Sequence, residues 1–346
     1  MRTVHLRTLI LATGLLALAA PASAQPRLPA DIATQLSGDV ARIAADVPDE
    51  GTPEPDTHYP VSNEWRHDLW FPHVRDLGGA FVGVGSDQCY TLAAVQNASM
   101  LWLVDFDPVV PRVHRMYGVL VPASPTPAEL VARFAPENAA ATEAMLTEAL
   151  SGEPETQRAV LRLFRRERER LARYLTRISR LSRDGAPTTW LSDATLYARV
   201  RALFQGGRVI ARNGDVTGER TLRAIGAAAR SLGVPVRVYY LSNAEQFFPY
   251  TQSFVANVDS LPGDERSVVL RTYRHRRAVY PHGDRWHYVV HRWSDFGDRL
   301  HRGYRHSRQI VADLVSGRGV QGADGLTVID GDTPRRAPTY TGEQTP

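Results

Sequence analysis

Short apolar, β-branched runs alternate with longer stretches of helical periodicity along the middle of the chain. One helical stretch, residues 218–232, places Leu222, Ile225 and Ala229 on one face and stops at Gly233. Strands separated by helices are typical of an α/β fold, so the pattern predicts a Rossmann-like domain with a mostly parallel sheet and helices on both faces. The six predicted strands are residues 80–84, 101–104, 208–211, 236–240, 267–271 and 287–292.

Two glycines lie at the end of the first predicted strand and directly after it, and an acidic residue directly follows the second. Asp105 lies 20 residues beyond Gly85, and Gly83 precedes Gly85 on the same turn. In nucleotide-binding folds such glycines let the backbone approach the ligand, and such an acid accepts hydrogen bonds from ribose hydroxyls. The third glycine of the dinucleotide motif is absent, which disfavours a pyrophosphate site. We predict cofactor contacts from all three residues; a tight turn and a helix cap are the structural alternative.

The second half of the domain supplies further polar residues at strand ends. Asn213 and Asp215 follow one strand, and Asn243 and Glu245 follow the next. Because parallel strands end at the same edge, these side chains are expected to share one crevice with Asp105. Asn213 is a predicted cofactor contact, and Asn243, Glu245 and Asp215 are candidates for the catalytic role. Asn and Asp are also preferred N-cap residues, so a capping role is the alternative.

The ends of the chain differ from this domain in composition. Residues 1–24 combine two arginines, an apolar stretch and a small-residue end, which predicts a secretory signal cleaved after Ala24 and a periplasmic or secreted protein. The apolar stretch is too short to span a bilayer, so no stable membrane anchor is predicted. Residues 25–60 are interpreted as an N-terminal segment with a Pro-rich linker, residues 61–315 as the domain, and residues 316–346 as a disordered tail.

A long gap between predicted strands, about residues 123–190, predicts a helical insertion in which Leu161, Phe164, Leu171, Leu175 and Ile178 form an apolar stripe. Residues 158–183 hold ten arginines and two glutamates. A solvated helix face is the main interpretation, and an anionic partner is the alternative. The net charge of +4 does not by itself indicate nucleic acid, so no nucleic-acid partner is predicted.

Residue usage restricts the chemistry. Cys89 is the single cysteine, which excludes an intrachain disulfide and a Cys-based zinc site. There is no lysine, which excludes Schiff-base chemistry and a P-loop lysine. His287 and His291 share one face of a predicted strand, but no third ligand follows from the spacing, so no metal is predicted.

An ordered series of motifs resembles an uncharacterised bacterial family whose members look like class I S-adenosylmethionine-dependent methyltransferases. The resemblance implies a methyltransferase-type fold and an S-adenosylmethionine site that also uses Gln88, with Asn63, Glu64 and Ser242 as further ligand candidates. It implies no established reaction. The motifs are residues 61–64 (VSNE), 79–88 (GAFVGVGSDQ), 103–105 (LVD), 213–218 (NGDVTG), 240–247 (YLSNAEQF) and 261–267 (LPGDERS).

Two function classes therefore stay open. The first is a methyltransferase-like enzyme that binds S-adenosylmethionine or a related nucleoside ligand at the carboxyl ends of the strands. The second is a non-catalytic periplasmic protein that uses the fold to bind another small polar ligand. S-adenosylmethionine is a cytoplasmic metabolite, so the predicted export favours the second class. The sequence does not determine the oligomeric state.

Overall fold

The computed structural model describes residue 43 and residues 46–316, 321–322 and 324–335. Within these residues, seven strands form one sheet in the order β5-β2-β1-β6-β7-β8-β9, and a separate two-stranded hairpin is formed by β3 and β4. The strands are β1 (Ala80–Gly83), β2 (Met100–Asp105), β3 (Ser182–Arg183), β4 (Ala186–Pro187), β5 (Val209–Asn213), β6 (Val236–Ser242), β7 (Val268–Tyr273), β8 (His287–Arg292) and β9 (Leu326–Ile329).

Strands β5, β2, β1, β6 and β7 are parallel to one another. Strand β8 runs antiparallel to β7, and β9 runs parallel to β8. The five parallel strands have the relative order 3-2-1-4-5 of a Rossmann fold, which reverses direction between β1 and β6. The predicted α/β class, the mostly parallel sheet and the six predicted strands are confirmed.

Helices cover both faces of the sheet, because each central strand is buried on both sides and needs apolar cover there. Phe81 and Leu103 belong to one hydrophobic core, and Val82 and Trp102 belong to the other. The helices are α1 (Phe71–Val74), α2 (Gln88–Gln96), α3 (Val109–Leu120), α4 (Pro127–Ala132), α5 (Ala139–Ala149), α6 (Pro154–Ile178), α7 (Ala194–Gln205), α8 (Thr221–Ser231), α9 (Gln252–Ser260), α10 (Trp293–His301) and α11 (Ser307–Ser316).

The predicted insertion consists of α4, α5, α6 and the β3-β4 hairpin. Its longest helix, α6, buries Phe164, Leu171, Leu175 and Ile178 in the core on the α2 and α3 side, whereas Leu161 is partly buried. The insertion contacts α3 and so lies on the β5 side of the sheet. Arg162 and Arg166 of α6 lie beside the start of α3, where they line a pocket together with Val109 and Arg112.

Residues 47–64, called here the N-terminal strap, have no regular secondary structure. The strap is nevertheless hydrogen-bonded to the domain: the Glu50 amide donates to the Asn213 carbonyl oxygen (2.8 Å), and the Thr52 amide donates to Asn213 Oδ1 (2.9 Å). The sequence interpretation of this region as a linker missed these contacts because backbone amides of the strap donate them, and such bonds leave no hydrophobic pattern in the sequence. The predicted signal, residues 1–24, lies outside the described residues.

The predicted disordered tail is partly wrong. Leu326–Ile329 forms β9 and pairs with β8, and Thr327 and Ile329 are buried. The strand was missed because four residues in a Gly- and Asp-rich stretch carry too little periodicity to stand out. Residues 317–320, 323 and 336–346 of the same region lie outside the described residues. In the described part of the chain, no helix has the length and apolar composition that crossing a membrane requires.

Candidate functional site

The turn after β1 brings the backbone close to its neighbours. Gly85 has a φ of +90°, and a Cβ atom at this position would lie 2.5 Å from Gln88 Nε2. A Cβ atom on Gly83 would lie 2.5 Å from the ring of Phe81 and 3.3 Å from Cβ of Tyr240. Both glycines are therefore required by the local packing, which matches the structural interpretation of the turn.

Asp105 stabilises this turn with both of its carboxylate oxygens. Oδ2 accepts a hydrogen bond from the Gly85 amide (2.9 Å), and Oδ1 accepts one from the Asp107 amide (2.9 Å). Burial raises the pKa of Asp105 to about 6 although these amides favour the charged form. The residue thus lies at the predicted place, with its carboxylate turned towards the chain's own backbone.

The strap forms hydrogen bonds with the polar residues at the end of β5. Asn213 Nδ2 donates to Thr52 Oγ1 (2.5 Å) and to the carbonyl oxygen of Phe106 (2.9 Å). The Asp215 amide donates to Glu50 Oε2 (2.7 Å), while Asp215 Oδ1 accepts from the amide and hydroxyl of Thr217. The carboxylate of Glu50 also accepts the backbone amide of Arg220, so it caps the N-terminus of α8.

Glu64, at the end of the strap, forms hydrogen bonds with side chains of β6 and β7. The residue is 3% exposed, and its carboxylate accepts hydrogen bonds from the hydroxyls of Tyr240 (2.7 Å), Ser242 (2.6 Å) and Thr272 (2.7 Å). His67 Nε2 lies 3.3 Å from Glu64 Oε2. The four partners come from β6, β7 and the turn before α1, so one carboxylate joins the strap to the carboxyl ends of two strands.

The environment of Glu64 keeps it ionised. Burial by itself would raise the pKa of this carboxyl, but His67 and the hydroxyls of Ser242 and Tyr240 lower it below its ordinary value. Ser242 reaches Glu64 from a left-handed backbone conformation with a φ of +50°, next to a register shift in the pairing of β6 with β7. Such strain at a strand end is typical of positions that aim a side chain.

The other predicted residues near β6 have different surroundings. Gln88 is buried, and its Nε2 lies 3.4 Å from the hydroxyl of Tyr240. Asn243 is partly exposed, and its side chain contacts the Ser242 hydroxyl at 3.4 Å. Asn63 is exposed on the strap. Glu245 is 2% exposed, and its carboxylate lies 2.6 Å from the guanidinium of Arg271.

Sequence reasoning missed a buried charged network that extends from Glu245 through β7, β8 and α10. Arg271 Nη1 lies 2.7 Å from His291 Nδ1, and His291 Nε2 lies 2.6 Å from Asp295 Oδ2. Arg299 then contacts Asp295 at 2.6 Å. Burial lowers the pKa of His291 to about 3, so this histidine is neutral and connects a guanidinium to a carboxylate.

A second missed group lies below the Gly85 turn. His114 Nε2 lies 2.9 Å from the Gly85 carbonyl oxygen, and His114 Nδ1 lies 2.5 Å from the Tyr90 hydroxyl. Burial lowers the pKa of His114 to about 4, so the neutral ring donates to Gly85 and accepts from Tyr90. Asp87 is 1% exposed, and its Oδ2 accepts from Trp190 Nε1 (3.0 Å). These contacts hold the turn from beneath.

Large aromatic side chains are exposed at the same edge of the sheet. Phe106 follows β2 and is 45% exposed, and Phe247 follows β6 and is 80% exposed. Strands β2 and β6 flank β1, so the two residues follow the strands on either side of the one that carries the glycine turn. Exposed aromatic rings beside polar side chains are typical of ligand-binding surfaces.

The histidine pair has no metal-site geometry. His287 Nδ1 contacts the Val279 carbonyl oxygen (2.5 Å), and its Nε2 lies 2.8 Å from the Thr327 hydroxyl. His291 is held by Arg271 and Asp295, as described above. Over the described ranges, no group of three or more His, Cys, Asp or Glu side chains is placed to hold a metal ion.

Comparison with known proteins gives a family but no activity. The profile of a family described as "Domain of unknown function (DUF7790)" matches residues 59–330. No curated protein matches the chain.

Two structures of the rRNA methyltransferase aviRa from Streptomyces viridochromogenes are among the similar folds. The first, at 2.4 Å, is 15% identical with a TM-score of 0.28 and covers 71% of this chain and 85% of that one. The second, at 1.5 Å, is 17% identical with a TM-score of 0.25 and covers 57% of this chain and 67% of that one. Similarity at this level implies nothing about activity.

Proposed function

The chain belongs to this family of unknown function, and on that premise we propose that its domain binds a small polar ligand of the nucleoside class at the carboxyl edge of the sheet. The observation that carries the proposal is the exposure of Phe106 and Phe247 on either side of the Gly83–Gly85 turn. A planar base stacks on such rings, and stacking of this kind tolerates any base.

Polar groups with spare hydrogen-bonding capacity lie at the same edge. Asn243 is partly exposed and makes one long side-chain contact, and Asn63 is exposed on the strap. Asp215 is partly exposed and uses Oδ1 for the Thr217 turn. Amide and carboxylate groups of this kind bind the hydroxyls of a sugar, which gives the ligand its orientation.

The residues do not fit S-adenosylmethionine at the predicted place in this arrangement. Thr52 and Glu50 of the strap form hydrogen bonds with the residues at the ends of β2 and β5, where the resemblance places the nucleoside. The carboxylate of Asp105 is bonded to backbone amides instead of facing a ribose. We therefore derive no methyl-transfer step, and the ligand of the proposal lies further out, between the two phenylalanines.

The proposal assigns binding and no catalysis to this edge. Of the candidate catalytic residues, Glu245 is paired with Arg271, and Asp215 supports a turn. The side-chain amide of Asn243 is neither an acid nor a base near neutral pH, so it cannot serve as a general acid or base. Export after cleavage at Ala24 is part of the same proposal, and mass spectrometry of the mature N-terminus tests it.

Isothermal titration with adenosine, S-adenosylhomocysteine and S-adenosylmethionine tests the ligand class. We expect Phe247→Ala to weaken adenosine binding by about 1 to 3 kcal/mol, because one stacking face is lost. Asn243→Ala is expected to weaken it as well, with little change in stability. Val328→Ala, an exposed apolar residue on the distant strand β9, is the matched control.

Absence of heat with all three nucleosides at millimolar concentration would refute the proposal. Binding of S-adenosylmethionine without binding of adenosine would instead favour the methyltransferase interpretation. Equal losses in Phe247→Ala and Val328→Ala would show that the heat does not come from a site at the carboxyl edge.

A further inference from the structure

A small pocket lies between α3, α6 and the strap, beside the carboxyl edge of the sheet. Its volume is about 160 Å³, and its walls include Arg112 of α3, Arg162 and Arg166 of α6, and Glu54 of the strap. Since one water takes about 30 Å³ of liquid volume, the space holds roughly five waters. The pocket is therefore large enough for a compact anion with a few carbon atoms.

Charge in the pocket is unbalanced. Arg112 Nη1 lies 2.8 Å from Glu54 Oε2, and this hydrogen bond lowers the pKa of Glu54. Arg166 contacts Glu167 at 3.1 Å. In the described part of the chain, no hydrogen bond or ion pair engages the Arg162 guanidinium. Three guanidinium groups thus line a pocket whose own wall supplies a single carboxylate.

The rest of α6 differs from this pocket. Arg165 is paired with Glu143 at 2.6 Å, and Arg173 lies 4.0 Å from Glu169. Arg177 stacks on the ring of Trp65 with its guanidinium carbon 3.6 Å from the ring centre. Among the arginines of α6, Arg158 and Arg162 make no hydrogen bond, ion pair or ring contact with the described residues, and Arg162 is the one that lines the pocket.

We infer that this pocket binds the phosphate group of a small phosphate monoester. At neutral pH such a group carries about −1.5 to −2 charges and three acceptor oxygens, and planar guanidinium groups recognise it with paired hydrogen bonds. The apolar side chains of Val109 and Leu163 complete the wall and contact the carbon atoms of the ester. In the structure, the Glu54 carboxylate holds the place of this anion at Arg112, so the ligand displaces Glu54.

Titration with inorganic phosphate and methyl phosphate, in chloride buffers of matched ionic strength, tests the inference. We expect Arg162→Gln to weaken binding of both probes about tenfold or more, because a charge-assisted hydrogen bond is lost. Glu54→Gln is expected to strengthen binding about tenfold, because the competing carboxylate is removed. Arg165→Gln, on the same helix but outside the pocket, is the matched control and leaves affinity unchanged.

The opposite response of Glu54→Gln separates this site from general attraction to a basic surface. Equal losses in Arg162→Gln and Arg165→Gln would overturn the inference, as would an unchanged or lower affinity in Glu54→Gln. Binding of polyphosphate or an oligonucleotide without binding of either small probe would also overturn it, and would assign the helix to a polyanion. Thermal melting of each variant confirms that the fold is retained.

Discussion

Replacement of Glu64 by alanine gives the sharpest test of how the strap is held. The change removes the acceptor shared by the hydroxyls of Tyr240 and Thr272, which are 0% and 2% exposed. Each hydrogen bond to a charged group contributes about 1.5 to 3 kcal/mol. Ser242 is partly exposed and regains a partner from water, so we count the two buried hydroxyls. Relief of the buried charge offsets part of the loss, and we expect about 3 kcal/mol of destabilisation.

Urea denaturation at pH 7 measures this free energy, with Glu137→Ala, an exposed glutamate of the insertion, as the control. Glu64→Gln keeps the size of the side chain and one acceptor oxygen, so its loss is expected to be smaller. The pKa of Glu64 is lower in the folded chain than its ordinary value of 4.5. Its contribution is therefore present above that value and decreases as the pH falls through the folded pKa.

Two results would refute this reasoning. A Glu64→Ala variant within about 0.5 kcal/mol of the wild type at pH 7 would mean that the hydroxyls find other partners. A loss of the same size at pH 7 and at pH 3 would mean that the effect is one of packing and not of the carboxylate.

Three further predictions concern other parts of the domain. Because burial raises the pKa of Asp105 to about 6, the folded chain binds more protons at this residue than the unfolded chain does between pH 4 and 6. The free energy of unfolding therefore falls by about 2 kcal/mol as the pH rises from 4 to 6, and urea titrations of Asp105→Asn should show a flatter pH profile. Deletion of residues 331–346 removes the Thr333 carbonyl oxygen that accepts from Arg299 and the Arg335 side chain that pairs with Asp295, and should cost about 3 kcal/mol. A melting temperature equal to that of the full chain would contradict this. Burial removes Cys89 from solvent and raises its pKa, so a thiol reagent should react in denaturant and not with the folded chain; rapid labelling of the native protein would disprove it.

The sheet was predictable because its central strands are buried on both faces. Strands such as β1 and β2 therefore appear in the sequence as continuous apolar runs, and the polar residues after them mark the carboxyl edge. Strand β9 has only four residues, with Val328 exposed, and gave no comparable signal. Strand β1 also has four residues, so burial on both faces, more than length, decided which strands could be recognised.

The candidate site was predictable in position and not in its contacts. The pattern placed Asp105 near the glycine turn, and the Gly85 amide donates to it, but the sequence gives no sign that its carboxylate faces backbone amides. Partners such as Thr52 for Asn213 come from a segment without periodicity. A polar side chain that completes a hydrogen bond over a long sequence separation has no local pattern, and only the folded chain shows which partner it takes.

The strap also affects how fast the domain folds. Thr52 bonds to Asn213 across 161 residues, and Glu64 bonds to Tyr240 across 176. Contacts this distant raise the contact order and slow folding, because a large loop must close before they form. The strap is therefore among the last parts of the chain to reach its native contacts.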